Sequence, residues 1–136
     1  MSKLHLKVVT PEKQIFDEEV DEVVVTTVDG EIGILPNHVN LMTEIKPGEM
    51  RVKNGGKTTF MATGPGLLQI SNNTLSIMTD LAQEPADIDE KAVEEARKRA
   101  EVALEQKLTD EEYAQTLAIL EKSLAQLQVK RRHRVR

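Results

Sequence analysis

The chain has no cysteine and no tryptophan, and only three aromatic residues, Phe16, Phe60 and Tyr113. Without cysteine there is no disulfide, no thiolate metal site and no thiol nucleophile. That suits a reducing compartment. With so few aromatics, any core must be built from Val, Ile, Leu and Met. No apolar run approaches the roughly 18 residues that a membrane-spanning helix needs. No basic stretch followed by an apolar run opens the chain, so no signal peptide is expected. The formal net charge of -5 argues against general nucleic-acid binding. Neither glycine nor proline occurs beyond residue 85. The two residue types that break regular structure are thus confined to one part of the chain.

The 136 residues hold one ordinary domain, or a small domain with an appendage. The densest punctuation lies at Gly30–Gly48, GEIGILPNHVNLMTEIKPG. Glycine admits positive φ, and proline fixes φ and removes a donor. Residues 31–35 and 41–45 therefore read as short strands on either side of an ordered loop. Upstream, Leu4, Leu6 and Val8 alternate, Thr10–Lys13 turns, and Ile15-Phe16 restarts a strand that Asp17-Glu18-Glu19 is expected to break. Residues 20–28 are β-branched, which favours a strand, and Asp29-Gly30 closes it. Met50 and Val52 share one face of the next strand, and Asn54-Gly55 reads as a hairpin turn before 57–62. Gly64-Pro65-Gly66 is a turn rather than a phosphate loop, because no Lys-Ser/Thr and no helix follow it. Strands at 67–71 and 74–79 meet at Asn72-Asn73. Strands recurring about every 8–12 residues predict an antiparallel sandwich or barrel.

Residues 81–87 read as a linker stopped by Pro85. Asp87 or Asp89 then caps a helix to about Gln106, with a narrow face of Val93, Ala96, Ala100, Ala103 and Leu104. Thr109 with Glu112 is a capping box for a second helix, whose stripe is Tyr113, Leu117, Leu120, Leu124 and Leu127. Two helices of roughly 27–30 Å, joined by a loop of about four residues, form an antiparallel hairpin. The expected fold is α+β by segments. An antiparallel β-sandwich spans 1–84, and a helical hairpin spans 85–136. The alanine face buries little area, and Lys107–Asp110 contains neither Gly nor Pro. Hairpin and extended forms would then differ by only a few kcal/mol.

The polar candidates are sparse. Glu31 and His38 share the central loop, but acid–base chemistry would need an oriented third group or a metal. A polar loop that positions a partner is the simpler reading. His5 and His133 have no metal-ligand spacing. The basic tail 130–136 suits an acidic protein surface better than nucleic acid, because no aromatics interleave its charges. One competing reading is a free-standing ligand-binding β-domain with a helical oligomerisation arm. A small enzyme is another, but it lacks a nucleophile or metal set.

With VVTPEKQIF at 8–16, GEIGILPNH at 30–38 and IKPG at 45–48, the whole chain resembles the epsilon subunits of bacterial F-type ATP synthases. The resemblance implies a non-catalytic subunit of the central stalk, with no cofactor. It would couple the rotor to the catalytic head of a proton-translocating machine. It would lie at the cytoplasmic face of the cell membrane and touch that membrane only through the complex. The sandwich would dock on the gamma subunit and the ring of c subunits, with Glu31 facing the ring and His38 near gamma. The hairpin would lie beside the sandwich or extend into the alpha/beta head, restraining ATP hydrolysis more than synthesis. Lys122, Arg131 and Arg132 would then face acidic segments of the beta subunits. Several bacterial members bind ATP through Ile/Leu-Asp-x-x-Arg-Ala. Here Ile88 and Asp89 match, but Ala92 stands at the arginine position and Val93 at the last alanine. A methyl group cannot fork onto phosphates, so ATP binding is expected to be weak or absent.

Overall fold

A computed structural model describes residues 2–133. The strands are β1 (Leu4–Val9), β2 (Gln14–Val20), β3 (Glu22–Thr27), β4 (Gly30–Ile34), β5 (Leu41–Ile45), β6 (Gly48–Asn54), β7 (Lys57–Thr63), β8 (Gly66–Ser71), β9 (Thr74–Thr79) and β10 (Ala82–Gln83). They hydrogen-bond in the order β10-β7-β6-β3-β5-β8-β9-β1-β2, with β4 on the other side of β3. The core between the layers is aliphatic. Leu4, Leu6, Val8, Val23, Val25, Ile34, Met50, Leu68, Leu75 and Ile77 are fully buried. Alternation along β1 and β6 sends every second side chain inward, as the period of a strand requires.

Several local expectations are corrected. The acidic run Asp17-Glu18-Glu19 does not end β2; it lies within it. All three side chains are exposed along a strand at the edge of the sheet, where charge is tolerated and discourages pairing with other chains. β1 pairs with β9 in parallel, against the antiparallel pattern elsewhere. Strand direction depends on a partner some seventy residues away, to which local pattern is blind. The β6–β7 turn is Gly55-Gly56, one residue later than Asn54-Gly55, because Asn54 is still paired with Lys57. Both glycines have positive φ, 60° and 83°, as a two-residue hairpin turn of this hand demands. At Gly66 a side chain is excluded by proximity: a Cβ there would sit 2.0 Å from the Met78 carbonyl oxygen. The segment 81–87 is not bare linker; it carries β10 and a single 3-10 turn at Pro85–Asp87.

Two helices follow, α1 (Glu90–Leu104) and α2 (Asp110–Arg132). Asp89 caps α1 by accepting from the Ala92 amide at 3.1 Å. Thr109 and Glu112 form the reciprocal capping box of α2. The helices are unequal, with 15 and 23 residues. At 1.5 Å per residue α2 is the longer by about 12 Å.

The stripe of α2 is also corrected. Tyr113 and Leu124 are largely exposed, whereas Ser123, Ala125, Leu127 and Val129 are buried. Near its C-terminus α2 packs on α1 with one face and on β6 and β7 with another. Burial therefore follows two faces rather than one stripe. Small residues, Ser123 and Ala125 on α2 and Ala100 on α1, are buried in this region.

Candidate docking faces and the arm clasp

Two surfaces carry the functional candidates. The first surrounds the loop after β4. Asn37 adopts positive φ, and its amide donates to the Asn73 side chain at 2.7 Å. The Asn72 amide donates to the Asn40 side chain at 3.3 Å. The loop is thus tied to the β8–β9 turn. His38 donates from Nδ1 to the Val39 carbonyl at 2.8 Å, since a carbonyl only accepts. Leu35, Val39, Met42, Leu67 and Met78 are exposed. In register, Leu67 lies between Glu44 and Met78, and Val9 lies beside Met78. Val9, Met78 and Leu67 thus form an exposed apolar row across β1, β9 and β8, of the kind that marks a contact surface. Glu31 is not joined to His38. It accepts from Arg51 at 3.1 Å, so the structure does not assemble the acid–base pair.

The second surface is where the C-terminal end of α2 meets the outer face of β6 and β7. Val129 is fully buried with Ala62, Ile88 and half-buried Val93. Around this small apolar centre the contacts are polar. Lys122 reaches Asp80 at 3.2 Å, Gln126 donates to Gln83 at 2.7 Å, and Lys130 donates to the Pro85 carbonyl at 2.8 Å. At the far end, the His133 ring stacks on Phe60 with centroids 3.8 Å apart. Its Nε2 donates to Glu49 Oε2 at 2.7 Å, and Arg132 lies 3.6 Å from the same oxygen. Glu49 is only 6% exposed although it sits on the outer face of β6, because the helix end covers it.

Arg131 turns to α1 instead, bonding Glu90 at 3.0 Å and Glu94 at 2.9 Å. Glu90 and Glu94 hold the Arg131 guanidinium above its ordinary pKa. Arg97, then Arg131, depress the Glu94 carboxyl, with partial desolvation opposing them. Lys122, Arg131 and Arg132 are therefore engaged within the chain in this state. The tail positions 134–136 lie outside the described residues.

The part played by Glu49 and His133 was missed in the sequence. A Glu beside Met50 reads as the solvent side of a strand, and only the overlying helix end makes it buried. Asp89 is occupied in capping α1, Ile88 is buried, and Ala92 is exposed. A cleft of about 530 Å³ lies between the β1–β2 turn and residues 80–87, where Glu12, Asp80, Glu84 and Asp87 outnumber Lys13. Among the described residues no cluster of His, Asp and Glu is suited to a metal, and no helix is long and apolar enough to cross a membrane.

The structure is thus a β-sandwich with exposed apolar side chains, carrying a helical pair tied to it mainly by polar bonds. The family model of the ATP synthase delta/epsilon chain β-sandwich domain matches residues 3–85, and that of its long α-helix domain matches 86–131. The ATP synthase epsilon chain of Caldicellulosiruptor bescii is 38% identical over 95% of this chain and 94% of its own. That of Alkalilimnicola ehrlichii is 36% identical over 100% of this chain and 98% of its own. A chain of the Euglena gracilis mitochondrial ATP synthase, solved with its c-ring, shares the fold at TM-score 0.77 and 23% identity, over 92% of this chain and 79% of that one. The chain belongs to the ATP synthase delta/epsilon family.

Proposed function

We propose that the chain is the non-catalytic epsilon-type subunit of the central stalk in an F-type ATP synthase, and that its helices restrain ATP hydrolysis. Association with the complex follows from the family. The finer assignment gives the β-sandwich to the gamma subunit and the c-ring, with Glu31 and His38 in the contact. The arm is assigned to the alpha/beta head when it extends. On this reading the protein sits peripherally on the cytoplasmic side of the membrane, held there by its complex.

The observation that carries this reading is the character of the arm's attachment. Val129 of α2 sits in a small apolar centre with Ala62 of β7, Ile88 and Val93 of α1, and a set of polar bonds ties α2 to the sandwich and to the segment after it. An apolar centre this small contributes only a few kcal/mol, so partners can compete for the arm. Once released, Lys122, Arg131 and Arg132 exchange intramolecular carboxylates for those of a partner. Deleting residues 88–136 should raise ATP hydrolysis by the assembled synthase several-fold while changing synthesis little. Unchanged hydrolysis would remove the arm's role.

ATP as a regulatory ligand is expected to bind weakly or not at all. Ala92 offers no cation at the motif position, Asp89 and Ile88 serve the fold, and the neighbouring cleft is acidic. Calorimetry on the isolated subunit should show no micromolar binding, and Ala92→Arg should strengthen whatever remains. Micromolar affinity in the natural sequence would overturn this.

A further inference from the structure

Arg51 lies beside the arm clasp. It projects from the outer face of β6, opposite Val24 of β3, and reaches diagonally across β3 to β4. One guanidinium nitrogen donates to Glu31 Oε1 at 3.1 Å. The other donates to Glu49 Oε1 at 3.3 Å. Glu49 is thereby divided: Oε1 faces Arg51, and Oε2 faces His133 and Arg132 of the arm. A continuous chain of charged groups runs from the exposed Glu31, through Arg51 and Glu49, to the end of α2. Arg51 is raised above its ordinary pKa, first by Glu31 and further by Glu49, with desolvation opposing, so both carboxylates share this cation.

We propose that Arg51 couples the exposed Glu31 to the arm, so that a cationic side chain of a docking partner seated on Glu31 loosens the clasp at Glu49. The inference rests on the arm-release reading above. Lifting the arm uncovers Glu49 to water, so the clasp is worth only what His133 and Arg132 add to the pairing that Arg51 already gives this carboxylate. While Arg51 is shared with Glu31, Glu49 draws much of its pairing from the arm, and lifting the arm gives that pairing up. When a partner's cation satisfies Glu31, Arg51 turns wholly to Glu49 with both nitrogens. Lifting the arm then costs less. Linkage requires the reverse as well: a lifted arm draws Arg51 to Glu49, frees Glu31, and tightens the partner's grip by the same factor.

The chain has no cysteine, so Glu18→Cys and Lys98→Cys place spin labels on exposed positions of the sandwich and the arm alone. Dipolar distance distributions of the full chain then report the lifted fraction. Glu31→Gln mimics the seated partner and should raise that fraction about fivefold or more. Arg51→Met should lower it, and Glu31→Gln should have no effect in the Arg51→Met background. Arg51→Gln serves if the methionine variant does not fold. A lifted fraction unmoved by Glu31→Gln, or moved equally without Arg51, overturns the coupling. Glu49→Gln separates the two readings. If it lifts the arm while Glu31→Gln does not, the coupling alone falls. If no variant lifts the arm, the arm-release reading fails and the coupling falls with it.

Discussion

His5 sits between two carboxylates on the outside of the β1–β2 hairpin, with Nε2 2.6 Å from Asp17 and Nδ1 3.2 Å from Glu19. Both ring nitrogens donate only when the imidazole is protonated. Hydrogen bonds to Glu19 and then Asp17 raise its pKa above the ordinary 6.5. A raised folded-state pKa stabilises the fold fully below the unfolded value, and that contribution is lost as pH rises through the folded value. Melting temperature should therefore fall as pH rises from about 6 through neutrality, and His5→Gln should flatten that slope. An unchanged slope in the variant would place the titration elsewhere. The same acidic run that makes this pair was expected to end β2. Residue type alone pointed outward from the strand, while register with β1 decided that Asp17 and Glu19 flank a histidine.

At the scale of elements, the helical pair depends on its ends more than on its faces. The α2 start is held by the Thr109–Glu112 box, with 3.1 Å bonds in both directions. All four residues from Asp110 to Tyr113 are exposed, so packing adds little there. Thr109→Ala should cost about 1 kcal/mol of helix stability. Hydrogen exchange should show that loss in the first turns of α2, leaving β1 and β9 unaffected. Equal loss of protection in the sandwich would mean that the two parts unfold as one unit. Thr109 was legible in the sequence as a cap, and Asp89 as one of two candidates with Asp87, because a cap is local chemistry. The stripe of α2 was not, because a helix with two neighbours buries two faces, and periodicity reports only where apolar residues recur.

Across the whole molecule, an aliphatic core holds the sandwich, and mainly polar bonds hold the arm to it. The first is insensitive to ionic strength, and the second is screened wherever its charges are wet. Lys122 and Asp80 are among the latter, with side chains 32% and 46% exposed. Raising salt from about 0.05 M to about 1 M should therefore increase the lifted-arm fraction, read by the same label pair, at constant sandwich stability. A fraction indifferent to salt would shift the weight of the clasp onto Val129 and the Phe60–His133 stack.

The sequence by itself determined most of the strands, the two helices, the capping box of α2 and the family, because turn chemistry, periodicity and the GEIGILPNH stretch are properties of neighbouring residues. It also placed Ala92 where the family's nucleotide motif carries arginine. Only the tertiary structure decided that β1 runs parallel to β9, that Glu49 is buried, and that Arg51 joins Glu31 to Glu49. These depend on which distant strand or helix end comes to rest over a given side chain. Burial and charge pairing arise from that placement in space, and a linear pattern does not encode it locally.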